Sequence, residues 1–250
     1  MPVDRTDGPE PTEEQGYALG LGICTEPEGT HFKILRLVPP GATVLELGCA
    51  TGLFSELLRE QGCSVFGVEI DEDAAQMAGR HCSDVVVGDL DVLTGLPWSE
   101  DSFDVVLCMD VLEHLKNPRR LLHMVRRYLK DTGKLVVSVP NVANYGVRLM
   151  LLRGKFEYVD HGILDSTHVR FFTLQSIERL LREAGFEITA RDQTPGLGNS
   201  RLYQVVLGRL LRLLRLERPL ASLLSRLFPR LFAYQFIISA RPSQFPTDTE

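Results

Sequence analysis

The chain is predicted to fold as one α/β domain with a doubly wound, mostly parallel sheet. Short apolar runs alternate with segments of helical periodicity from residue 43 to residue 191, and strands joined by crossover helices of about ten residues form parallel sheets. The early runs, such as 43–47 and 103–109, are almost entirely apolar. Strands that are covered by helices on both faces have this composition.

Each predicted strand is an apolar run bounded by turn residues, and the strands are 43–47, 64–70, 84–87, 103–109, 134–139, 186–191 and 235–240. Each predicted helix has apolar residues at a spacing of three or four, and the helices are 31–38, 53–61, 73–81, 118–129 and 174–184. Gly62 and Gly185 follow two of these helices, as glycine often does at a helix end. Thr173 is the predicted N-cap of the last helix.

The composition is that of an ordinary globular protein, with 44% hydrophobic and 24% charged residues among 250. The net charge is -6, and no broad basic face is evident, so we expect no nucleic-acid partner. The five cysteines form no C-x-x-C pair, which indicates reduced thiols and a cytoplasmic location. No window is as apolar as a membrane span, and the first residues lack a signal-peptide core.

The first strand leads into a glycine-bearing turn, GCATG at 48–52. Small residues let the backbone approach a ligand, although such a turn can also form without one. Ligands of open α/β sheets bind at the carboxyl ends of the strands, where this turn lies. An NAD or FAD fingerprint would need glycine at position 53, where Leu53 stands, and no P-loop sequence is present.

Acidic residues follow the second and third strands. Glu69 stands 21 residues after Gly48 and could accept hydrogen bonds from a ribose diol, or it could simply precede a helix. Asp89, in the segment GDL at 88–90, could accept from an adenine amino group while Leu90 packs on the ring. A single aspartate at such a position is more often a turn residue.

Together these segments resemble the class I S-adenosylmethionine-dependent methyltransferases. ELGCATG at 46–52 is similar to the E/D-x-G-x-G-x-G motif of that family, with Ala50 at a position where glycine is commoner. Segments around 68–69, 88–90, 103–106 and 134–140 match its later motifs in order. The resemblance covers about 31–191 and returns at 234–240, and it implies a seven-stranded sheet whose last strand is antiparallel.

The resemblance also implies S-adenosylmethionine as the cofactor. The glycine-bearing turn and Glu46 would surround its methionine moiety, Glu69 its ribose and Asp89 its adenine. The predicted cofactor-binding residues are Glu46, Gly48, Cys49, Ala50, Gly52, Glu69, Ile70, Asp89, Leu90 and Met109.

The segment DVLEHL at 110–115 resembles the D/E-x-x-E-H sequence of ubiquinone-biosynthesis-type O-methyltransferases. His114 is the catalytic candidate, as a general base near neutral pH. Asp110, Glu113 and His114 could instead hold a divalent metal, a role proposed within that group, or Glu113 and His114 could only fix the loop by hydrogen bonds. We assign no metal ligand from the sequence.

A second polar cluster lies in the segment 161–168. His161, Asp165 and His168 have spacings that suggest a metal site, but such residues in a polar loop are more often structural. The region 141–172 follows the fifth strand and should line the acceptor pocket. The predicted lining side chains are Tyr145, Phe156, Tyr158 and His168.

The predicted function is methyl transfer from S-adenosylmethionine to a small molecule, with oxygen as the favoured acceptor. One alternative is a nicotinamide-dependent oxidoreductase, which shares the sheet and the ribose-binding acid. The other is a non-catalytic protein that keeps the cofactor fold as a partner or membrane module. The sequence does not identify the acceptor.

We expect 1–30 to be a mostly disordered acidic tail, 31–241 to be the methyltransferase domain, and 242–250 to be a disordered tail. Within the domain, 192–233 is predicted to be a helical insertion rich in arginine and leucine. Its leucine face could pack on the sheet layer, or it could form a lid or a dimer surface. It could also give peripheral contact with an anionic membrane through 201–230, unless the acidic tail neutralises these arginines.

Overall fold

The computed structural model describes residues 28–196 and 217–243. The strands are β1 (Thr43–Leu47), β2 (Ser64–Glu69), β3 (Asp84–Val87), β4 (Phe103–Met109), β5 (Leu129–Pro140), β6 (Phe186–Pro195) and β7 (Ala233–Pro242). The helices are α1 (Thr30–Leu37), α2 (Leu53–Glu60), α3 (Glu72–Ala78), α4 (Pro118–Arg126), α5 (Tyr145–Leu152), α6 (Leu174–Glu183), α7 (Glu217–Leu227) and α8 (Pro229–Phe232). One turn of 3₁₀ helix spans Leu112–His114.

The seven strands form one sheet in the order β3-β2-β1-β4-β5-β7-β6. Strands β1 to β5 pair in parallel, and β7 runs antiparallel to both β5 and β6. The predicted doubly wound sheet with an antiparallel last strand is therefore confirmed. The strand order reverses between β1 and β4, and the crevice at such a switch point is where ligands of this architecture bind.

Apolar side chains cover both faces of the sheet. Along β4, Val105, Leu107 and Met109 belong to one buried cluster, while Val106 and Cys108 belong to the other. Successive side chains of a strand point to opposite faces, so the all-apolar runs are explained. Helices α1 and α2 contribute to the first cluster, and α4 and α6 contribute to the second.

Capping residues in the sequence determine where several helices begin. Asn117 caps α4 by accepting a hydrogen bond from the Arg120 N–H at 3.2 Å, and Pro118 occupies the first helical position. Thr173 caps α6 as predicted and forms a reciprocal capping box with Ser176. These contacts satisfy N–H groups that have no partner within the first helical turn.

The structure corrects some predicted boundaries. The helix expected over 118–129 ends at Arg126, because Leu129 already begins β5. Helix α5 was not predicted. Strand β6 continues to Pro195 because 192–195 pair with β7, so these four residues do not belong to a helical insertion. Pro229 begins α8, at the end of the predicted insertion.

Part of the predicted insertion is described. Residues 217–227 and 229–232 are helical, whereas 197–216 and the parts 1–27 and 244–250 of the two predicted tails lie outside the described residues. The prediction of disordered tails is wrong at their inner ends, because Thr30 begins α1 and Pro242 ends β7. Glu28 forms an exposed ion pair with Arg226, with 3.3 Å between Oε1 and a guanidinium nitrogen. One acid of the predicted tail 1–30 therefore does pair with one arginine of 201–230. No helix among the described residues is long and apolar enough to cross a membrane.

Candidate functional site

The turn after β1 has the backbone geometry that its small residues predict. Gly48, Ala50 and Gly52 have φ angles of 67°, 46° and 80°. Glycine adopts this left-handed region without a steric penalty, whereas alanine is strained there. The Val68 carbonyl accepts hydrogen bonds from the N–H groups of Gly48, at 2.8 Å, and Cys49, at 3.2 Å. The turn is therefore held at the carboxyl edge of β2.

Glu69, at the end of β2, fixes this edge through its side chain. One carboxylate oxygen accepts from the Ala50 N–H at 2.8 Å, and the other accepts from Ile70 N–H at 2.8 Å and Asp71 N–H at 3.1 Å. A carboxylate has about four lone-pair sites, so after these three hydrogen bonds one site remains for a ribose hydroxyl. Ile70, next in sequence, leaves 66% of its surface exposed. Glu69 and Ile70 together offer a hydrogen-bond acceptor beside an exposed apolar side chain, an arrangement that suits a nucleoside.

Two of the predicted cofactor-binding side chains lie beneath the turn. Glu46 is 1% exposed and accepts a hydrogen bond of 2.5 Å from the Ser55 hydroxyl in α2. Burial raises the pKa of the Glu46 carboxyl to about 8. Cys49 is also buried. The interaction of its thiol with the thiol of Cys82 is the main reason why the pKa of Cys82 is lowered to about 7.

The predicted adenine end lies beside Glu69. The Gly88 N–H donates to the Glu69 carbonyl at 2.8 Å, which brings the loop after β3 to the end of β2. Asp89 is exposed, and one of its oxygens accepts from the Asp91 N–H at 2.8 Å. Leu90 is buried, as is Met109 at the end of β4. The predicted cofactor residues therefore surround the carboxyl ends of four neighbouring strands.

Asp110 follows β4 with a positive φ of 53°. Its Oδ1 accepts hydrogen bonds from the Gln235 side-chain amide and from the Ser138 hydroxyl, at 3.3 Å from the latter. Burial raises the pKa of this carboxyl. Asp110 thus lies in a polar contact between β4, β5 and β7.

The two polar clusters that the sequence singled out meet in space. The Glu113 carbonyl accepts from the N–H groups of Val169 and Arg170, both at 2.9 Å. The His114 ring lies 4.8 Å from the His168 ring, edge to face. Glu113, His114 and His168 each offer a ligand atom within 4.8 Å of the others. His161 and Asp165, whose spacing from His168 suggested a metal site as the less common alternative, are not members of this group.

The predicted acceptor-lining aromatic residues divide into two places. Phe156 and Tyr158 are exposed, and their ring centroids lie 5.8 and 6.4 Å from that of Phe171. His168 lies 6.3 Å from the same ring, so these three surround Phe171. Tyr145 is elsewhere, against Phe232 at 5.6 Å.

Sequence reasoning missed Phe171, Ser55 and Thr167 as parts of the site. The Thr167 hydroxyl lies 3.2 Å from His114 Nδ1. Phe171 belongs to the region 141–172 that was predicted to line the acceptor pocket, so a signal was present for it. Ser55 and Thr167 carry no local signal, because their contacts depend on how distant segments dock.

A comparison with known protein families identifies the family of this chain. A model of the methyltransferase domain matches residues 31–191. A ubiquinone biosynthesis O-methyltransferase of Coxiella burnetii (strain RSA 493 / Nine Mile phase I) is 32% identical over 134 residues, which are 51% of this chain and 55% of that protein. The corresponding protein of Azoarcus sp. (strain BH72) is 31% identical over 159 residues, with coverages of 60% and 66%. The match to the Coxiella burnetii protein thus spans little more than half of that protein's length.

Solved structures share the fold. A possible histamine N-methyltransferase of Thermotoga maritima superposes with a TM-score of 0.56 at 20% identity, covering 85% of this chain and 87% of that one. The magnesium protoporphyrin IX methyltransferase of Synechocystis, solved with bound S-adenosylhomocysteine, gives 0.56 at 19% identity, with coverages of 86% and 82%. The chain therefore belongs to the methyltransferase-domain family, among the class I proteins that use S-adenosylmethionine as their cofactor.

Proposed function

We propose that the chain transfers a methyl group from S-adenosylmethionine to an oxygen atom of a small molecule. The observation that carries this proposal is the edge of the sheet at which β1, β2 and β4 end. The 48–52 turn follows β1, Glu69 ends β2, and the 3₁₀ turn that contains His114 follows β4, which is the neighbour of β1 on the other side. A donor site and an acceptor site would then share one crevice.

The cofactor supplies an activated sulfonium methyl group, and the protein binds and orients the two reactants. We assign the cofactor to the residues predicted for it, with Glu69 accepting from the ribose, Asp89 from the adenine, and the turn backbone beside the methionine moiety. The exposed Ile70 side chain supplies apolar surface next to Glu69. We assign Glu46 to the support of this turn, through the hydrogen bond that it accepts from the Ser55 hydroxyl.

On the acceptor side, we assign His114, His168, Phe156 and Tyr158 to the pocket. Two exposed aromatic rings packed on Phe171 give a surface for a flat or lipophilic acceptor. Tyr145 packs against Phe232 and not against Phe171, so we leave it out of this surface. That His114 is a general base stays a prediction.

The oxygen preference draws support from the relatives that are named O-methyltransferases. The test is to incubate the full chain with S-adenosylmethionine carrying a ¹³C-methyl group and a cellular small-molecule fraction, and to analyse the products by ¹³C NMR. Label bound to oxygen supports the proposal. Label on nitrogen or carbon would contradict the oxygen assignment. Glu69→Ala is the control, since weaker cofactor binding should reduce labelling from the same mixture.

We further propose that 201–230 gives the protein peripheral contact with an anionic membrane surface. Among the described residues, Leu223, Leu227 and Phe228 are more than half exposed, close to Arg226. Apolar side chains beside a basic one suit the interface of an anionic bilayer. Co-sedimentation with vesicles rich in phosphatidylserine at low salt should retain the protein, and Leu223→Ser with Leu227→Ser should release it. Failure of the unmodified protein to bind would refute this second proposal.

A further inference from the structure

We propose that Cys49 and Cys82 form a peroxide-sensitive dithiol, and that the disulfide between them weakens cofactor binding. Cys49 lies in the 48–52 turn after β1, and Cys82 lies between α3 and β3. The covalent step does not depend on methyl transfer. Its effect on the cofactor rests on the assignment of S-adenosylmethionine to the 48–52 turn.

The two sulfur atoms meet over Gly67 in β2, the strand that lies between β1 and β3 in the sheet. A Cβ placed on Gly67 would lie 2.6 Å from Cys49 Sγ and 3.4 Å from Cys82 Sγ. Both thiols therefore occupy the space that a side chain at position 67 would fill. A cysteine from the turn after β1 and a cysteine from the segment before β3 can meet there because glycine leaves this space open.

A hydrogen bond from Cys82 to Ser55 holds the Cys82 thiol in this position. The Ser55 hydroxyl has one proton and donates it to Glu46 Oε2 at 2.5 Å. The same hydroxyl therefore accepts from the Cys82 thiol, at 3.2 Å. The proton of Cys82 points to Ser55, so the lone pairs of the Cys82 sulfur remain for the thiol of Cys49.

The two cysteines differ in their access to solvent. Cys49 is 3% exposed, whereas Cys82 is only partly buried. Peroxides react with thiolates that they can reach, and the pKa of Cys82 is the one that their interaction lowers. Cys82 is therefore the residue that meets the peroxide, and Cys49 is the thiol that resolves its oxidised form.

The reaction consumes hydrogen peroxide and releases two water molecules. The Cys82 thiolate attacks one peroxide oxygen, an S–O bond forms, the O–O bond breaks, and the departing hydroxide takes up the proton that Cys82 lost. The Cys49 sulfur then attacks the sulfenic acid at Cys82. The S–S bond forms, the S–O bond breaks, and hydroxide leaves with the Cys49 proton. The two thiols lose two electrons in total, and a dithiol reductant reverses the change.

The disulfide would disturb the cofactor turn because Cys49 is part of its hydrogen bonding. The Cys49 carbonyl accepts from the Gly52 N–H at 2.9 Å, and the N–H of the next residue, Ala50, donates to Glu69 at 2.8 Å. A disulfide holds its sulfurs at about 2 Å, so its formation draws Cys49 towards Cys82 and shifts both hydrogen bonds. Since such coupling is reciprocal, bound cofactor should in turn oppose disulfide formation.

The test treats the full folded chain, freed of reductant, with a small excess of hydrogen peroxide. Mass spectrometry of the non-reduced tryptic peptides then maps the disulfides. We expect a peptide that contains Cys49 to be linked to one that contains Cys82, and fragment ions distinguish Cys82 from Cys108 in the same peptide. Calorimetry with S-adenosylhomocysteine compares the reduced, oxidised and re-reduced chain. The affinity should fall at least ~5-fold on oxidation and return on reduction.

Two substitutions are matched controls. Cys82→Ser should form no such disulfide, and its affinity for S-adenosylhomocysteine should be the same before and after peroxide treatment. Cys63→Ser removes a buried thiol whose sulfur lies 3.5 Å from the Pro39 carbonyl oxygen. This variant should respond to peroxide as the unmodified chain does.

The two measurements separate the possible failures. No disulfide in the unmodified chain, or a disulfide from Cys82 to any other cysteine, would overturn the dithiol site. An oxidised chain that binds S-adenosylhomocysteine as tightly as the reduced chain would overturn the effect on the cofactor. A reduced chain that binds no S-adenosylhomocysteine would contradict the cofactor site itself, and the peptide map would still decide the disulfide.

Discussion

Replacement of Glu46 by glutamine should change how the stability of the protein depends on pH. The Glu46 carboxyl is buried beneath the cofactor turn, and burial raises its pKa from 4.5 to about 8. Below pH 4.5, the Glu46 carboxyl is protonated in both the folded and the unfolded chain. Between pH 4.5 and about 8, only the unfolded chain releases this proton, so the free energy of unfolding falls as the pH rises.

The size of the effect follows from the shift. Each unit of pKa difference corresponds to ~1.4 kcal/mol, so the move from 4.5 to about 8 amounts to ~5 kcal/mol lost across that interval. Glutamine keeps a carbonyl oxygen for the Ser55 hydroxyl but has no proton to lose. Relative to the unmodified chain, Glu46→Gln should therefore become progressively more stable as the pH is raised.

Urea unfolding in excess reductant, at several pH values across this interval, measures the difference. Contributions from groups that do not interact with Glu46 cancel because the two chains differ at one position. Glu60→Gln, an exposed substitution at the end of α2, is the matched control for removing one carboxylate. A difference between Glu46→Gln and the unmodified chain that stays constant over the whole pH range would refute the reasoning.

Substitutions at three further positions test local features of the fold by urea unfolding. Gly67→Ala should destabilise by ~2 kcal/mol, since the added Cβ would lie 2.6 Å from the Cys49 sulfur; a neutral effect would show that the packing there is loose. Ala50→Val should cost ~2 kcal/mol more than Ala50→Gly, because position 50 has a φ of 46°, and equal stabilities would contradict this strain. Thr173→Ala should cost ~1 kcal/mol through loss of the α6 cap, while Thr173→Ser should keep it; equal losses in both would be inconsistent with capping.

The parts of the fold that local sequence determines were predictable. Strand β4 has the predicted bounds because its residues are apolar on both faces, and α6 begins at its predicted cap. Helix α5 was missed because Val147 is its only buried residue, so its apolar side chains do not form one buried face. The polar residues 192–195 extend an edge strand through pairing with β7, which no local pattern reveals.

In the candidate site too, local sequence predicted the residues at the strand ends but not the contacts between distant segments. Glu69 and the 48–52 turn could be placed because the ends of parallel strands meet at one edge of the sheet. The contact between Thr167 and His114 joins segments 53 residues apart and depends on the docking of a loop. Asp110 lies in the segment that the resemblance identified, but its hydrogen bond to Gln235 comes from a distant strand. Sequence reasoning therefore found the residue and not its role.

Isothermal titration calorimetry with S-adenosylhomocysteine tests the central claim, that the β1–β2 edge is a cofactor site built on Glu69. The unmodified full chain should bind the ligand. Glu69→Ala should bind it at least ~10-fold more weakly, because the ribose hydroxyls and the Ala50 N–H lose their acceptor. Glu72→Ala, which removes an exposed acid from the first turn of α3, should bind as the unmodified chain does. Absence of binding at millimolar ligand, or equal affinities in Glu69→Ala and the unmodified chain, would contradict the account.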